Sequence, residues 1–172
     1  PGVMLRGTTL GLVGCGRLGQ WMSKYANSFG MNVLGYDPLL ASWPDGIEKL
    51  DLDPLLGNSD FISVHVPLNE DTRGLIGRRE FELVKPGAIF VNTSRGEVID
   101  EEALRLALLD GRIGAAGLDV LAGEPDIDRH PLVEYAREHD NLIITPHIGG
   151  FAPEAFKYLL SFTCERIVDF FE

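Results

Sequence analysis

The chain has 172 residues, of which 45% are hydrophobic, and it carries a formal net charge of -11 at pH 7. This length and apolar content suffice for one full core and match the usual size of a single domain, while the acidic balance argues against nucleic acid as a partner. The two cysteines form no disulfide framework, no Cys/His cluster has zinc spacing and no apolar run approaches the length of a membrane span, so we expect a cytoplasmic protein without a metal or a membrane partner.

Apolar stretches that predict strands alternate with stretches that predict helices. The predicted strands are Thr8 to Val13, Asn32 to Tyr36, Phe61 to Val64, Ala88 to Asn92, Ile113 to Leu118 and Leu142 to Ile144. The predicted helices are Gly16 to Ser28, Pro54 to Gly57, Arg78 to Val84, Glu101 to Leu109 with Asp100 as its cap, His130 to Glu138, and Glu154 to Phe171. The alternation, with strands that are apolar at nearly every position, predicts a parallel sheet covered on both faces. The expected fold class is α/β, a doubly wound Rossmann-type sheet of about six strands with helices on both faces, and residues 1–172 are expected to form one dinucleotide-binding domain.

The first predicted strand runs into the glycine-rich turn Gly14-Cys15-Gly16-Arg17-Leu18-Gly19. Gly14 permits a tight turn, Gly16 lets the backbone approach a pyrophosphate, and Gly19 lets the following helix pack closely. Asp37 ends the second predicted strand, at the place where a dinucleotide fingerprint has an acid for the ribose hydroxyls. A carboxylate there repels a 2′-phosphate, and the next two residues supply no cation, so the pattern favours NAD over NADP. The alternative is a glycine turn of purely structural purpose.

Three side chains in the second half of the chain, Arg95, Glu124 and His147, form a candidate acid/base apparatus. Arg95 and His147 each follow a predicted strand, and ligands of open parallel sheets lie outside the carboxyl ends of the strands. A guanidinium suits a substrate carboxylate, an imidazole can move a proton, and a carboxylate bonded to the imidazole favours its protonated form. Hydride transfer to a 2-keto acid requires these groups. The alternatives are a surface arginine paired with Glu97 or Asp100, a solvated turn carboxylate and a structural histidine at a strand end.

The remaining histidines are weaker candidates. His65 ends the third predicted strand beside a proline and could line the cofactor site. His130 and His139 flank a peripheral helix, and we expect both to be solvated. Gly149 and Gly150, which follow His147 closely, allow the backbone to pass near a ligand.

These motifs resemble the cofactor-binding domain of the NAD-dependent D-isomer-specific 2-hydroxyacid dehydrogenases over nearly the whole chain. The blocks that carry the resemblance are Gly14-Cys15-Gly16-Arg17-Leu18-Gly19, Tyr36-Asp37-Pro38, His65-Val66-Pro67-Leu68, Thr72-Arg73-Gly74-Leu75-Ile76, Lys85-Pro86-Gly87-Ala88, Asn92-Thr93-Ser94-Arg95-Gly96, Gly117-Leu118-Asp119-Val120, Glu124-Pro125 and Pro146-His147-Ile148-Gly149-Gly150. Several independent blocks in the family's order make the resemblance very specific.

The resemblance implies an oxidoreductase that acts on a small 2-hydroxy or 2-keto acid with NAD as its cofactor. It implies that Arg17 and Leu18 meet the pyrophosphate and that Asp37 meets the adenosine ribose. Asp119 looks like the acceptor for the nicotinamide carboxamide. The other candidate cofactor contacts are His65, Pro67, Thr72, Thr93, Ser94, Gly149 and Gly150. The family's catalytic arginine, glutamate and histidine correspond to Arg95, Glu124 and His147.

Members of this family carry a second domain that supplies much of the substrate pocket, and this separate substrate domain is absent from the sequence. We therefore expect a cofactor domain from a longer enzyme, or a natural fragment, with weak or no turnover alone because its cleft is open on one side. In the family the cofactor domain is also the dimerisation surface, so a homodimer is implied. The last predicted helix carries more apolar surface than one face needs, and we expect part of it to pack in the core and part against the missing domain or a second subunit.

Two functional classes remain open from the sequence. The first is a dehydrogenase domain, and the second is an NAD-responsive binding module without turnover, because relatives of this fold serve as transcriptional corepressors. The enzyme class is favoured, since a corepressor would need a peptide-binding cleft from the missing domain. The acid itself remains open among lactate, glycerate, phosphoglycerate and longer acids.

Overall fold

The computed structural model describes residues 2–171. Its strands are β1 (Thr9–Val13), β2 (Asn32–Tyr36), β3 (Glu48–Lys49), β4 (Phe61–Val64), β5 (Ala88–Asn92), β6 (Ile113–Leu118) and β7 (Leu142–Ile144). They form one sheet in the order β3-β2-β1-β4-β5-β6-β7, and every neighbouring pair is parallel. The predicted α/β fold with a parallel sheet is confirmed.

Two of the six helices begin after a residue whose side chain caps the first turn. The six helices are α1 (Arg17–Ser28), α2 (Leu52–Asn58), α3 (Arg78–Leu83), α4 (Glu101–Leu109), α5 (Pro131–Glu138) and α6 (Pro153–Phe171), with a short 3-10 helix at Gly96–Val98. The Asp100 carboxylate accepts a hydrogen bond from the Ala103 N–H at 3.0 Å and so caps α4 as predicted. His130 precedes α5, and its Nδ1 accepts from the Leu132 N–H at 3.2 Å.

The buried apolar side chains form two clusters, because successive residues of a strand point to opposite faces of the sheet. Leu10 and Leu12 of β1 belong to one cluster, and Val13 belongs to the other. The larger cluster includes Phe81 and Phe90, whose rings pack edge to face with their centroids 5.3 Å apart. The inner strands are therefore buried on both faces. They form a rigid base from which the loops at their carboxyl ends project.

The order of the strands creates the crevice for a ligand. β1 lies between β2 and β4, so the connection after β1 turns to one side of the sheet and later connections turn to the other. Ligands of open α/β sheets bind at this switch point, outside the carboxyl ends of the strands. The glycine turn follows β1, and His65 follows β4 at the same edge.

The sheet has seven strands where about six were predicted. The additional strand, β3, consists of Glu48 and Lys49, which pair with Leu34 and Gly35 of β2. Both residues of β3 are exposed and charged, as is common on an edge strand. No apolar pattern marks so short a strand, and for that reason the sequence did not predict it.

The last helix, α6, lies outside both core clusters. None of its 19 residues is buried, so the expectation that part of its apolar surface packs in the core was wrong. Residue periodicity shows how much apolar surface a helix carries but not which element it contacts. Of the helices within residues 2–171, none has both the length and the apolar composition needed to cross a bilayer.

Candidate active site

The glycine turn after β1 is tightly packed on two sides and open on the third. Gly14 has a φ of 97°, and a Cβ added to it would lie 2.8 Å from the His65 carbonyl carbon. A Cβ at Gly19 would overlap the Gly14 carbonyl oxygen, whereas a Cβ at Gly16 would meet no atom within 4 Å. Cys15 points its thiol inward, where burial raises the pKa of the thiol to about 12. Cys15 is thus a packing residue rather than a nucleophile, and Gly16 leaves the open side of the turn free for a ligand.

Asp37 follows β2 and is held in one position by the backbone. Its Oδ2 accepts from the Cys15 N–H at 3.0 Å, and its Oδ1 accepts from the Leu39 N–H at 3.0 Å. The carboxylate faces a cavity of about 450 Å³. The walls of that cavity are formed by Gly14, Gly16, Tyr36, Asp37, Pro38, Leu39, His65, Val66, Pro67, Asn69, Asp71, Thr72 and Leu75, among which there is no lysine or arginine.

His65 lies where three neighbouring cavities meet at the carboxyl edge of the sheet. Its Nε2 is 2.9 Å from Ser63 Oγ, and burial lowers the pKa of the ring. Its Nδ1 is buried and has no hydrogen-bond partner within residues 2–171. A buried ring nitrogen without a partner is unusual unless a ligand supplies one. Together with the open side of Gly16, this atom fits a dinucleotide laid across the loops.

A second cavity of about 630 Å³ continues from the glycine turn toward β5. Its walls are formed by Gly16, Arg17, Leu18, His65, Val66, Pro67, Leu68, Thr93, Ser94 and Arg95. The cavity therefore brings the start of α1 together with the turn after β5. Thr72, in contrast, uses its hydroxyl to close its own loop, donating to the Pro67 carbonyl at 2.5 Å.

Asn92 shapes the turn that carries Arg95. Its side chain is fully buried; Oδ1 accepts from the Ser94 N–H at 2.9 Å, and Nδ2 donates to the Arg95 carbonyl at 2.9 Å. The Arg95 guanidinium is exposed, and its Nη1 donates to the Ser94 carbonyl at 2.6 Å. No carboxylate within residues 2–171 pairs with Arg95, and Asp100 is occupied as a helix cap. The sequence showed Asn92 in its motif but assigned it no role, although asparagine commonly closes such turns.

His147 and Glu124 form a hydrogen-bonded pair. His147 Nδ1 lies 2.8 Å from Glu124 Oε2, and Glu124 Oε1 accepts from the Leu121 N–H at 2.6 Å. The His147 side chain is 47% exposed and that of Glu124 is 26% exposed, so the imidazole is the more accessible of the two. His147 has a φ of 51°, in the left-handed region that few residues other than glycine adopt. Such a conformation often marks a functional position.

Asp119 anchors the loop that contains His147. Its carboxylate accepts from Thr145 Oγ1 at 2.5 Å, the Ile148 N–H at 3.0 Å and the Gly149 N–H at 2.8 Å. Burial by itself would raise the pKa of Asp119, but these hydrogen bonds outweigh burial and hold the pKa below its ordinary value. Thr145 was not singled out from the sequence, because its role depends on this contact between β6 and β7.

The structure brings Arg95 and His147 to one cavity of about 630 Å³, together with Thr93, Asp119 and both glycines after His147. The remaining walls are formed by Leu18, Trp21, Met22, Tyr25 and His65. Glu124 lies outside this set and lines an adjoining cavity beside His147. Glu124 therefore does not line the shared cavity itself, but it contacts the His147 imidazole, which does.

His130 differs from its prediction. It was expected to be solvated, but its side chain is 12% exposed and its Nε2 lies 3.0 Å from Glu101 Oε2. The sequence could not show this pair, because it depends on how α4 and α5 pack together. His139 is half-buried and stacks on Tyr135 with ring centroids 3.9 Å apart, so it is also not fully solvated.

Comparison with known proteins places the chain among dehydrogenases. The profile of the family described as D-isomer specific 2-hydroxyacid dehydrogenase, NAD binding domain, matches residues 1–149. The chain is 47% identical over 156 residues to a hydroxypyruvate reductase of Thermotoga maritima, covering 90% of this chain and 50% of that protein. It is 45% identical over 170 residues to a D-3-phosphoglycerate dehydrogenase of Methanocaldococcus jannaschii, covering 96% of this chain and 32% of that protein. The solved structure of D-2-hydroxyisocaproate dehydrogenase matches with a TM-score of 0.92 at 30% identity, covering 99% of this chain and 55% of that one.

The chain thus spans about one third to one half of the length of the curated relatives that it matches. Their names refer to different acids, so the comparisons indicate a class of chemistry and not one substrate. They give no support to the alternative of a corepressor-like binding module. The chain belongs to the D-isomer specific 2-hydroxyacid dehydrogenase family, in which it is a Rossmann-type NAD-binding domain.

Proposed function

We propose that the chain is the cofactor-binding part of an NAD-dependent enzyme that transfers a hydride between NAD(H) and a small 2-hydroxy or 2-keto acid. The observation that carries this proposal is the 2.8 Å contact between His147 Nδ1 and Glu124 Oε2, beside a cavity that Arg95 also lines. An imidazole with a carboxylate partner, facing a guanidinium across one cavity, suits an acid that must be bound and protonated.

His147 would exchange a proton with the C2 oxygen of the substrate through Nε2. Its Nδ1 faces the carboxylate of Glu124, which can only accept, so Nδ1 carries hydrogen and Nε2 is the nitrogen left for the substrate. In keto acid reduction the proton moves from Nε2 to the C2 oxygen, and in hydroxy acid oxidation it returns. The nicotinamide of the bound cofactor supplies or accepts the hydride. Glu124 fixes the orientation of the ring and its tautomer throughout.

Arg95 would bind the substrate carboxylate and polarise the C2 carbonyl. One Nη1 hydrogen is directed to the Ser94 carbonyl, which holds the side chain, and the other N–H groups remain for a ligand. A guanidinium can bind both oxygens of a carboxylate with a planar pair of hydrogen bonds. The Asn92 turn would keep this group in place.

The cofactor would lie across the three cavities around His65. Arg17 and Leu18 would meet the pyrophosphate, Asp37 the adenosine ribose, and Asp119 the nicotinamide carboxamide. His65 Nδ1 would gain a partner from the cofactor. The further contacts would be Gly14, Gly16, Gly19, Pro67, Thr72, Thr93, Ser94, Gly149 and Gly150.

Charge favours NAD over NADP at this site. The cavity beside Asp37 contains a second carboxylate, Asp71, and none of its walls carries a lysine or arginine within residues 2–171. A 2′-phosphate would meet two like charges without a cation to offset them.

The rest of the active site would come from another part of a longer protein. A substrate domain would close the cavity that Arg95 and His147 share, exclude water and select the acid. We also propose a homodimer, supported by the large apolar surface that α6 leaves exposed. The thiols of Cys15 and Cys164 are both free, which agrees with a reducing, cytoplasmic location.

The test is to compare wild type with His147→Asn in two measurements. Calorimetric titration of this chain with NADH should give the same affinity for both, because His147 acts on the substrate. In a protein that carries the substrate domain, reduction of a panel of 2-keto acids should fall by about 100-fold or more in the variant. An unchanged rate of reduction would show that His147 is not the acid.

A further inference from the structure

Glu101 and His130 form a largely buried pair next to the loop that carries Glu124, and the proposed reaction makes no use of them. Each side chain is 12% exposed, and His130 Nε2 lies 3.0 Å from Glu101 Oε2. The pair joins the first residue of α4 to the residue before α5. A carboxylate that is largely removed from water needs hydrogen bonds at both oxygens, so the partner of the second oxygen matters.

That second oxygen holds the loop after β6. The Ala122 N–H donates to Glu101 Oε1 at 2.9 Å, and the preceding Leu121 N–H donates to Glu124 Oε1 at 2.6 Å. Two consecutive backbone amides are therefore divided between two carboxylates. Because Glu124 Oε1 is engaged in this way, Oε2 is the oxygen that faces His147 Nδ1 at 2.8 Å.

His130 orients Glu101 by donating a hydrogen bond, without a need for positive charge. The Leu132 N–H donates to His130 Nδ1, so this nitrogen offers a lone pair and Nε2 carries the hydrogen of the neutral ring. His147 has the opposite arrangement, since its Nδ1 is the nitrogen that faces a carboxylate. The two rings are thus expected to be opposite neutral tautomers, each imposed by its surroundings.

The same loop contacts the turn that carries Arg95. A Cβ added at Gly96 would overlap the backbone of Leu121 and Ala122, so the two chain segments touch directly. A shift of the Ala122 amide would therefore disturb both the Arg95 turn and the position of Glu124.

We propose that Glu101, oriented by His130, is a positioning residue that fixes the Leu121–Glu124 loop, so that Glu124 holds His147 as its Nδ1–H tautomer. The consequence for catalysis rests on the proposed function, but the positioning itself is a property of this chain alone. Glu101 acts through the backbone and through Glu124, and it lines none of the cavities around His65.

The test is ¹⁵N NMR of the imidazole nitrogens at alkaline pH, where neutral tautomers are read from the Nδ1 and Nε2 shifts. Glu101→Gln leaves a single, uncharged carbonyl oxygen in place of the two carboxylate oxygens that Ala122 and His130 contact, so both contacts are weakened or one is lost. His130→Asn keeps a side-chain oxygen to cap α5 but removes the donor to Glu101. Glu102→Gln is the matched control, because it removes the same charge from the next residue of α4, which pairs with Arg105 instead.

We expect His147 to be the Nδ1–H tautomer in wild type and in Glu102→Gln, and to shift toward the Nε2–H tautomer in Glu101→Gln and His130→Asn. Glu124→Ala, which removes the acceptor, sets the size of the full effect. If Glu124→Ala shifts the tautomer but the Glu101 and His130 variants do not, the positioning role is wrong and the catalytic pair stands. If wild type shows no preference for Nδ1–H, both the pair and its positioning are wrong.

Hydrogen exchange of the backbone amides separates positioning from general instability. Because Glu101→Gln removes the charged acceptor of the Ala122 N–H, exchange at Ala122 should become faster by about tenfold or more. The amides of Leu104 and Leu108, inside α4, should keep their wild-type rates. If exchange becomes faster along all of α4, and the rate at Ala122 rises by no more than the rates at Leu104 and Leu108, Glu101 only stabilises the helix.

Discussion

Asp37 is the residue on which the proposed preference for NAD over NADP depends. Its two oxygens accept from the Cys15 and Leu39 amides, and the backbone therefore holds a negative charge at the place where the adenosine ribose is proposed to lie. Since a carboxylate retains lone pairs after two such bonds, it can still accept from ribose hydroxyls. A phosphate on the ribose would instead be repelled.

Asp37→Asn keeps one acceptor oxygen but removes the negative charge, so it should weaken NADH binding by about tenfold. It should also reduce the ratio of the affinity for NADH to the affinity for NADPH. Calorimetric titration of the chain with each dinucleotide measures both effects. Asp45→Asn changes the net charge equally at an exposed position outside the cavity walls and should leave both affinities unchanged. A preference that survives Asp37→Asn intact would place the selecting group elsewhere.

At the scale of residues, the sequence predicted candidate side chains such as His147 and Arg95, which the structure brings to one cavity. It did not predict residues that act through the backbone of another segment. Asn92 closes a turn, and Glu101 reaches an amide that is distant in sequence. These contacts depend on the packing of strands and helices, which periodicity alone does not specify.

At the scale of elements, Asp119 ties the end of β6 to the loop after β7. Its three hydrogen bonds connect Thr145, Ile148 and Gly149 to one carboxylate, and these bonds hold its pKa below the ordinary value despite burial. A group whose pKa is lower in the folded than in the unfolded chain stabilises the fold above its unfolded pKa of about 4. That stabilisation is lost as pH falls through the lowered folded value.

Asp119→Asn should therefore lower the free energy of unfolding by about 1–3 kcal/mol near neutral pH, and the difference from wild type should shrink as the pH falls below about 4. Urea unfolding at a series of pH values measures this. Thr145→Val, which removes one donor at similar volume, should show a smaller dependence of the same sign. A difference between Asp119→Asn and wild type that is equal at all pH values would exclude the carboxylate charge as its source.

The elements themselves were predicted where a pattern marks them. The six longer strands and all six helices lie within two residues of their predicted bounds, because apolar runs, caps and glycines mark their ends. β3 was missed, since an exposed pair of charged residues carries no apolar signal. Its pairing with β2 is a property of the folded sheet.

At the scale of the whole molecule, the sequence predicted the sheet architecture and the edge at which the proposed site lies. It could not predict what covers α6, because the apolar pattern of a helix does not show which other surface the helix contacts. The side chains at issue are exposed by 45% to 82% and are Phe156, Tyr158, Leu159, Leu160, Phe162, Ile167, Val168, Phe170 and Phe171. An apolar surface of this extent is rare on a monomer and commonly marks a site of association.

We expect the chain to associate through α6, so sedimentation velocity at micromolar concentration should show a dimer whose fraction rises with concentration. Leu159→Glu with Phe162→Glu places two charges on neighbouring turns of the helix and should return the protein to a monomer, because a buried unpaired charge is costly. Ser161→Glu adds charge to the same helix at a polar position and should weaken the dimer less. If wild type is a monomer throughout, the homodimer is wrong, and the exposed surface of α6 is then left for contact with the substrate domain.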